Sequence, residues 1–424
     1  MVDDLVVGVA GVTKAVYKKT ITDDQLTIVS ERIPGVRSVA VGIWVNTGSM
    51  YETDNQAGIS HMLEHMVFKG TSQRSGLEIV QTIEGVGGHI NAFTSKELTC
   101  FYVQVLDNHL DLALDVLCGL LVSPKLAEDD VAREKLVIAE EIRHYEDSPH
   151  DLIFDYFART LHGEHPLARP IMGTVESVAG ISQGMLRSYL DNNYPSNRTV
   201  VAATGNLDHD FLLEEIQKRL KLKKSTKDNG FPPIEYPKPR VDRITRPVQG
   251  VHICTGTHGI SYSDPKKFAA LTLSNILGGG MSSRLFQRIR EKEALAYSLF
   301  SFLESLRDTG VFGVYLGTDP AKLDHTLGVL EEEYTRINVD GIPAEELTRV
   351  KEQLKGNLIL GSEGTSGRMF RLAKLEIYLN RFLTLDETIH LIEAVTEEGI
   401  MEIAHNFLKK ENQYTAIILP KEEV

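Results

Sequence analysis

Gly58-Ile59-Ser60-His61-Met62-Leu63-Glu64-His65-Met66-Val67-Phe68-Lys69-Gly70-Thr71 places two histidines four residues apart with a glutamate between them. Written on a helix, His61 and His65 sit one above the other, and Glu64, three on from His61, shares their face. Ile59, Met62, Leu63, Met66 and Val67 cover the other sides and Gly70 can end the turn, so the stretch reads as a largely buried helix. Two imidazoles at this spacing can hold one zinc ion, and a carboxylate beside them can take a proton from water. A surface pair beside a glutamate is the plainer explanation of so short a pattern, and a third ligand is what separates the two.

Working outward, 424 residues exceed what one core organises, so at least two domains are expected. Hydrophobic residues at 42% and charged ones at 25% are ordinary for a soluble globular enzyme. A formal charge of −14 argues against a nucleic-acid partner, which asks for a basic patch, and suits basic substrates. Cys100, Cys118 and Cys254 are odd in number and far apart, which fits buried apolar fillers in a reducing compartment and not a disulfide frame or a metal cluster. The apolar run at 5–12 follows Asp3 and Asp4, lacks a basic lead and is too short to span a bilayer. No membrane association is expected, and the expected location is cytoplasmic.

Residues 25–29 and 38–45 read as strands around a Pro34-Gly35 turn. A helix over 75–84, a strand pair over 89–94 and 99–105, and helices over 110–121 and 128–144 follow. The last of these carries Glu134, Glu140 and Glu141. Seven residues make nearly two turns, so Glu134 and Glu141 share a face within about 20°, while Glu140 points elsewhere. Taken alone, acidic residues on a helix are a solvated face. Periodicity stops at 226–250, which is rich in proline and charge and reads as a linker between domains at 1–225 and 251–424. The second half repeats the order strand, helix, glycines, helix, strand pair, long helices, without a second HxxEH. The fold class expected is α+β, two repeats each of a mainly antiparallel sheet with helices on one face.

These residues resemble the inverzincin peptidases, the family of pitrilysin, insulin-degrading enzyme and the mitochondrial processing peptidase, and the resemblance covers nearly the whole chain. It rests on His61-Met62-Leu63-Glu64-His65, continued by Phe68-Lys69-Gly70-Thr71, and on a glutamate 76 residues past the second histidine, which is Glu141. The resemblance implies His61, His65 and Glu141 as ligands of one zinc ion per chain and Glu64 as general base. It implies Glu134, seven positions before Glu141, as a carboxylate that orients a ligand. Gly88-His89-Ile90-Asn91-Ala92-Phe93-Thr94-Ser95 is similar to the edge strand on which such enzymes lay their substrate, which makes Gly88, Asn91, Ala92 and Phe93 substrate-binding candidates. Arg290 and Tyr297 resemble an Arg/Tyr pair that serves the metal site from the C-terminal half, as carbonyl holder and oxyanion donor. Read locally, Arg290 is a helix-end cation and Tyr297 a strand residue. The run Gly278-Gly279-Gly280 lacks the Gly-Lys-Ser/Thr ending of a phosphate loop and reads as a turn.

The activity so implied is that of a zinc metalloendopeptidase cleaving unfolded peptides, or processing N-terminal extensions, inside a closed clamshell. Large single-chain members are about twice this length, so a second copy, or a related chain, is expected to complete the shell. A homodimer is the simpler arrangement, because this chain holds both the zinc motif and the Arg/Tyr pair. Arg290 and Tyr297 of one copy would then serve the zinc of the other. A non-catalytic peptide-binding or structural subunit of the same family is the alternative; such relatives lose part of the metal set, which is complete here. A metal-storage protein would not need Glu64 between its ligands.

Overall fold

Val39 to Val45 are buried without a break, as a strand covered on both faces requires. This strand is β4 (Ser38–Val45), in a sheet with β1 (Asp3–Val7), β2 (Ala15–Ile21), β3 (Thr27–Arg32), β5 (His89–Thr94), β6 (Thr99–Leu106) and β7 (Thr199–Gly205). The order is β1-β2-β3-β7-β4-β6-β5. A second sheet, β10-β11-β9-β12-β8, is built from β8 (Val241–Arg246), β9 (Val251–His258), β10 (Ala296–Ser305), β11 (Gly310–Thr318) and β12 (Tyr414–Pro420). The structure is a computed structural model and describes residues 3–7, 15–226, 230 and 233–421. Of the apolar run at 5–12, only 5–7 fall inside it; of the linker, 227–229 and 231–232 fall outside.

The repeat holds, and it takes in two strands per sheet beyond the strand and strand pair read from sequence. Read from β3, the first sheet runs β3-β7-β4-β6-β5; read from β8, the second runs β8-β12-β9-β11-β10, which is the same path. In each, the last strand of the repeat pairs parallel with the first, and the other pairings are antiparallel. The α+β class therefore holds.

The chain divides into two compact units that are not sequence halves. One comprises Met1–Ile142, Arg169–Gly230 and Leu360–Phe382; the other comprises Arg143–Ala168, Phe231–Ile359 and Leu383–Val424. In the first unit one sheet face packs on helices through Ile43, Phe101, Met62, Leu63, Leu114 and Leu117. The opposite face presents Val29, Trp44 and Val200 to Met369, Leu372 and Ala373 of the helix Thr365–Leu379. In the second unit, Ile153, Phe157 and Leu161 of the helix Pro149–His162 meet Cys254, Tyr315, Ala416 and Ile418 in the same way. Each sheet thus has a helix on its second face as well, drawn from beyond the boundary that the sequence places at 226–250. That interval itself contains β8, whose alternating exposure gives it one half-covered face. Helices Thr365–Leu379, Leu385–Glu393 and Glu397–Phe407 and strand β12 follow the helix Ala344–Gly361 and extend beyond the repeated order read from sequence. Cys100, Cys118 and Cys254 are free and buried, as fillers should be. No described helix is long and apolar enough to cross a membrane.

Candidate metal centre

The helix Ile59–Val67 buries Ile59, Met62, Leu63, Met66 and Val67, which leaves the face of His61, Glu64 and His65 to look outward from the core. The two imidazole rings lie 4.5 Å apart between centroids. Glu141 arrives on the long helix Glu128–Glu146, whose buried Val131, Ile138 and Ile142 hold it against the first unit's core. Its two oxygens lie 3.8 Å from His61 Nε2 and 3.8 Å from His65 Nε2. These three residues form a group that could hold a metal ion, with ligand atoms all within 4.8 Å of one another.

The donor set fits zinc. Ligand atoms about 2.1 Å from a tetrahedral ion stand about 3.4 Å apart, close to the spacing observed before any ion draws them in. Ligand histidines must be neutral. Burial, helped by His65 nearby and opposed by the charge of Glu134, pulls His61 down to about 4, which keeps it neutral. For His65, burial also disfavours the charge, but the Glu134 bond and the charges of Glu141, Glu134 and Glu64 outweigh it, and its value is raised. His65 Nδ1 bonds Glu134 Oε1 at 2.9 Å, which leaves Nε2 to face Glu141. His61 Nδ1 is buried and meets no hydrogen-bond partner among the described residues.

Glu134 is 3% exposed, and its second oxygen is 2.6 Å from Lys69 Nζ. Burial works against its charge, yet the bonds from His65 and Lys69 prevail and hold the carboxyl below its ordinary value. Glu64 Oε2 accepts a hydrogen bond from Thr94 Oγ1 at 2.5 Å. Burial raises the Glu64 carboxyl; the Thr94 bond and His65 oppose this, and Glu141 adds to it. Lys69 and Thr94 were not singled out as site residues from sequence. Lys69 carries a signal, because it lies four after His65 and continues the histidine face; Thr94 lies in the stretch similar to a substrate edge strand, but nothing there marks its hydroxyl for Glu64.

Thr94 ends β5, an edge strand paired with β6 alone. Gly88 is buried just before it, and a Cβ there would fall 2.6 Å from Val105 and 2.9 Å from the Gln104 carbonyl. Asn91 is exposed, and its Oδ1 accepts the Ala92 N–H at 2.8 Å. Ala92 packs toward the metal-site helix side of the sheet. Phe93 takes the other side, edge-on to Trp44 at 5.5 Å, so its side chain belongs to the core and only its backbone is offered at the edge. Arg290 and Tyr297 are brought together in the second unit. The Arg290 guanidinium lies 5.4 Å from the Tyr297 ring centre and 4.8 Å from that of Phe286. Arg290 sits on a wide π-helical turn, Phe286–Lys292, a geometry that recurs at functional sites, and Tyr297 is 86% exposed.

Residues 27–175 match the insulinase family (peptidase family M16), and residues 180–354 match the peptidase M16 inactive domain. An uncharacterised zinc protease of Bacillus subtilis is 38% identical over 406 residues, covering 95% of this chain and 98% of the relative. One from Streptomyces coelicolor is 37% identical, covering 94% and 89%. Among solved structures, a protease from Helicobacter pylori superposes with a TM-score of 0.88 at 23% identity, covering 95% of this chain and 99% of that one. A chain of complex III2 from Candida albicans reaches 0.81 at 20% identity, covering 94% and 95%; both likenesses concern the fold. This chain belongs to the insulinase (M16) family of peptidases.

Proposed function

We propose that this chain is a zinc metalloendopeptidase in which His61, His65 and Glu141 hold one zinc ion and Glu64 is the general base. The observation that supports it is the meeting of two imidazole nitrogens with a carboxylate that lies more than seventy residues further along the chain, on another helix, with a second carboxylate beside them. When bound, zinc supplies Lewis-acid polarisation and makes water more acidic. Glu64, oriented by Thr94, takes the proton of the attacking water and delivers it to the leaving amine. Glu134 fixes the His65 ring, and Lys69 balances the charge of Glu134. The open edge of β5 receives the substrate backbone as an added strand, which suits unfolded peptides and extended tails. In forming that strand the substrate takes over the Ala92 N–H from Asn91. Arg290 and Tyr297 hold the carbonyl and donate to the oxyanion, supplied by a second copy that closes the chamber. The three free buried cysteines fit work in a reducing, cytoplasmic setting.

Glu64→Gln tests the reading. Zinc content should stay at one per chain while cleavage of an unfolded reference peptide drops roughly 10²–10⁴-fold, the scale of a lost acid–base group. Undiminished turnover in the zinc-loaded variant removes Glu64 from the role.

A further inference from the structure

We propose that Glu52 is a positioning residue, a buried carboxylate that closes the N-terminal end of the metal-site helix and so sets His61, Glu64 and His65 toward Glu141. The inference builds on the functional reading above and concerns a residue outside the motif.

A helix begins with N–H groups that lack intrahelical partners, and a local Ser, Thr, Asp or Asn usually takes one of them. The helix Ile59–Val67 has no such cap. Its N-cap is Gly58, in the left-handed region at φ 89°, with no side-chain bond of its own. The acceptor comes instead from six residues upstream: Glu52 Oε2 takes the Gly58 N–H at 2.7 Å and Oε1 takes the Ser60 N–H at 2.8 Å. Ser60 immediately precedes His61. Glu52 is 4% exposed, so its carboxylate faces the Gly58 and Ser60 donors, the Ser60 hydroxyl among them, and not water. Negative charge at this end also meets the helix dipole favourably.

The surroundings leave the first turn no slack. A Cβ on Gly58 would stand 2.4 Å from the Met172 carbonyl, and one on Gly173 would stand 2.5 Å from the Ala57 carbonyl. Ser177 Oγ donates to Ala57 O at 2.8 Å, and Ser60 Oγ bonds Tyr189 OH at 2.7 Å. Arg169 donates to the Glu52 backbone carbonyl at 2.6 Å and pairs with Asp54 at 2.5 Å. Arg169, Tyr189 and Tyr194 are the charged or titratable groups that act on or are acted on by Glu52. Burial pushes the Glu52 carboxyl up to about 7, against the bonds from Ser60 and Gly58 and the charge of Arg169. Side-chain atoms ride about 5–6 Å from a helix axis, so a rotation of about 10° shifts a ligand atom by about 1 Å. A metal site does not tolerate that shift.

The full chain carrying Glu52→Gln is the test, run at about pH 8 so that the wild-type carboxyl is ionised. Glutamine offers one acceptor oxygen and turns an NH2 toward the other N–H. In metal-free protein, amide hydrogen exchange over residues 58–63 should speed up at least about tenfold while the rest of the chain keeps its rates. Zinc affinity, read by competition with a chromogenic chelator, should fall about 10–100-fold, and kcat should fall with KM unchanged. Glu52→Asp, which keeps two acceptors on a shorter arm, should recover part of both losses, and it carries the same two readouts if the glutamine variant does not fold. Wild-type exchange over 58–63, or zinc affinity within about twofold of wild type, overturns the proposal; a lowered Tm alone reduces Glu52 to an ordinary cap. If wild-type protein binds no zinc yet Glu52→Gln loosens residues 58–63, the zinc reading fails and the anchoring of the helix stands.

Discussion

Glu134 sits one bond beyond the proposed metal ligands and acts on His65 through a hydrogen bond as well as through its charge. With Oε1 on His65 Nδ1 and Oε2 on Lys69 Nζ, the carboxylate stays ionised although it is buried. It thereby holds the ring proton on Nδ1 and leaves the Nε2 lone pair toward Glu141. Glu134→Ala frees both tautomers and strands the Lys69 ammonium. Zinc affinity should fall about 10–100-fold, with little change in the far-ultraviolet circular dichroism. Equal affinities in a chelator competition would falsify the orienting role. At this scale the sequence was legible only where contacts are local. His61, Glu64 and His65 declare themselves through helical spacing, and the phase of Glu134 with Glu141 is readable on one helix. Choosing Glu141 over Glu140 needed the family resemblance, because nothing in helical periodicity says which carboxylate crosses to another helix. The bond from Thr94 to Glu64 spans 30 residues, and the cap from Glu52 joins a loop to a helix start; neither leaves a repeating pattern in the chain.

Among elements, the interval expected to be a linker differs most from that expectation. Prolines and charges at 233–240 erase periodicity, and the exposed alternate positions of β8 leave too few apolar residues for a strand signal. The segment is nonetheless pinned. The Tyr236 ring lies 3.4 Å from that of His258 between centroids, its hydroxyl meets Thr309 Oγ1 at 2.6 Å, and Tyr414 OH donates to the Pro237 carbonyl at 2.5 Å. His258 is the titratable member of this packing. Burial pulls it from 6.5 to about 4, and the groups around it are Tyr236, the Tyr414 hydroxyl at 3.1 Å, and the ring of His162, 6.4 Å away. The folded state therefore binds its proton more weakly than the unfolded state does. The resulting stability is complete above about 6.5 and is lost as pH falls toward 4. His258→Gln should cost Tm at neutral pH through the lost stacking, yet show a shallower fall in Tm between about pH 6.5 and pH 4.5 than wild type. Parallel melting curves for the two proteins across that window would remove His258 as a source of acid sensitivity.

Across the whole molecule, part of the duplicated strand path is visible as a repeated order of elements, whereas β8, β12 and the exchange of the helices Pro149–His162 and Thr365–Leu379 are not. A helical period reveals that a face is buried and leaves open which sheet buries it. The repeat raises a functional question about its second copy, which keeps the topology without an HxxEH. Among the described residues, the one three-donor group lies in the first unit, while half-buried Arg290 and exposed Tyr297 stand together in the second. With no three-donor group among the described residues of its own unit, the pair has a centre to serve only elsewhere, in the first unit of its own chain or in another copy. Mixing two inactive variants decides it. Glu64→Gln lacks the base and keeps the pair; Tyr297→Phe with Arg290→Ala lacks the pair and keeps the base. If the pair acts across a two-fold dimer, random reassociation makes about half the dimers mixed, and each mixed dimer has one centre with every group intact. Activity should then recover to about a quarter of wild type per centre, rising on the timescale of subunit exchange. If base and pair belong to the same chain, no mixture restores cleavage, and an active species that sediments as a monomer likewise rules out the trans arrangement.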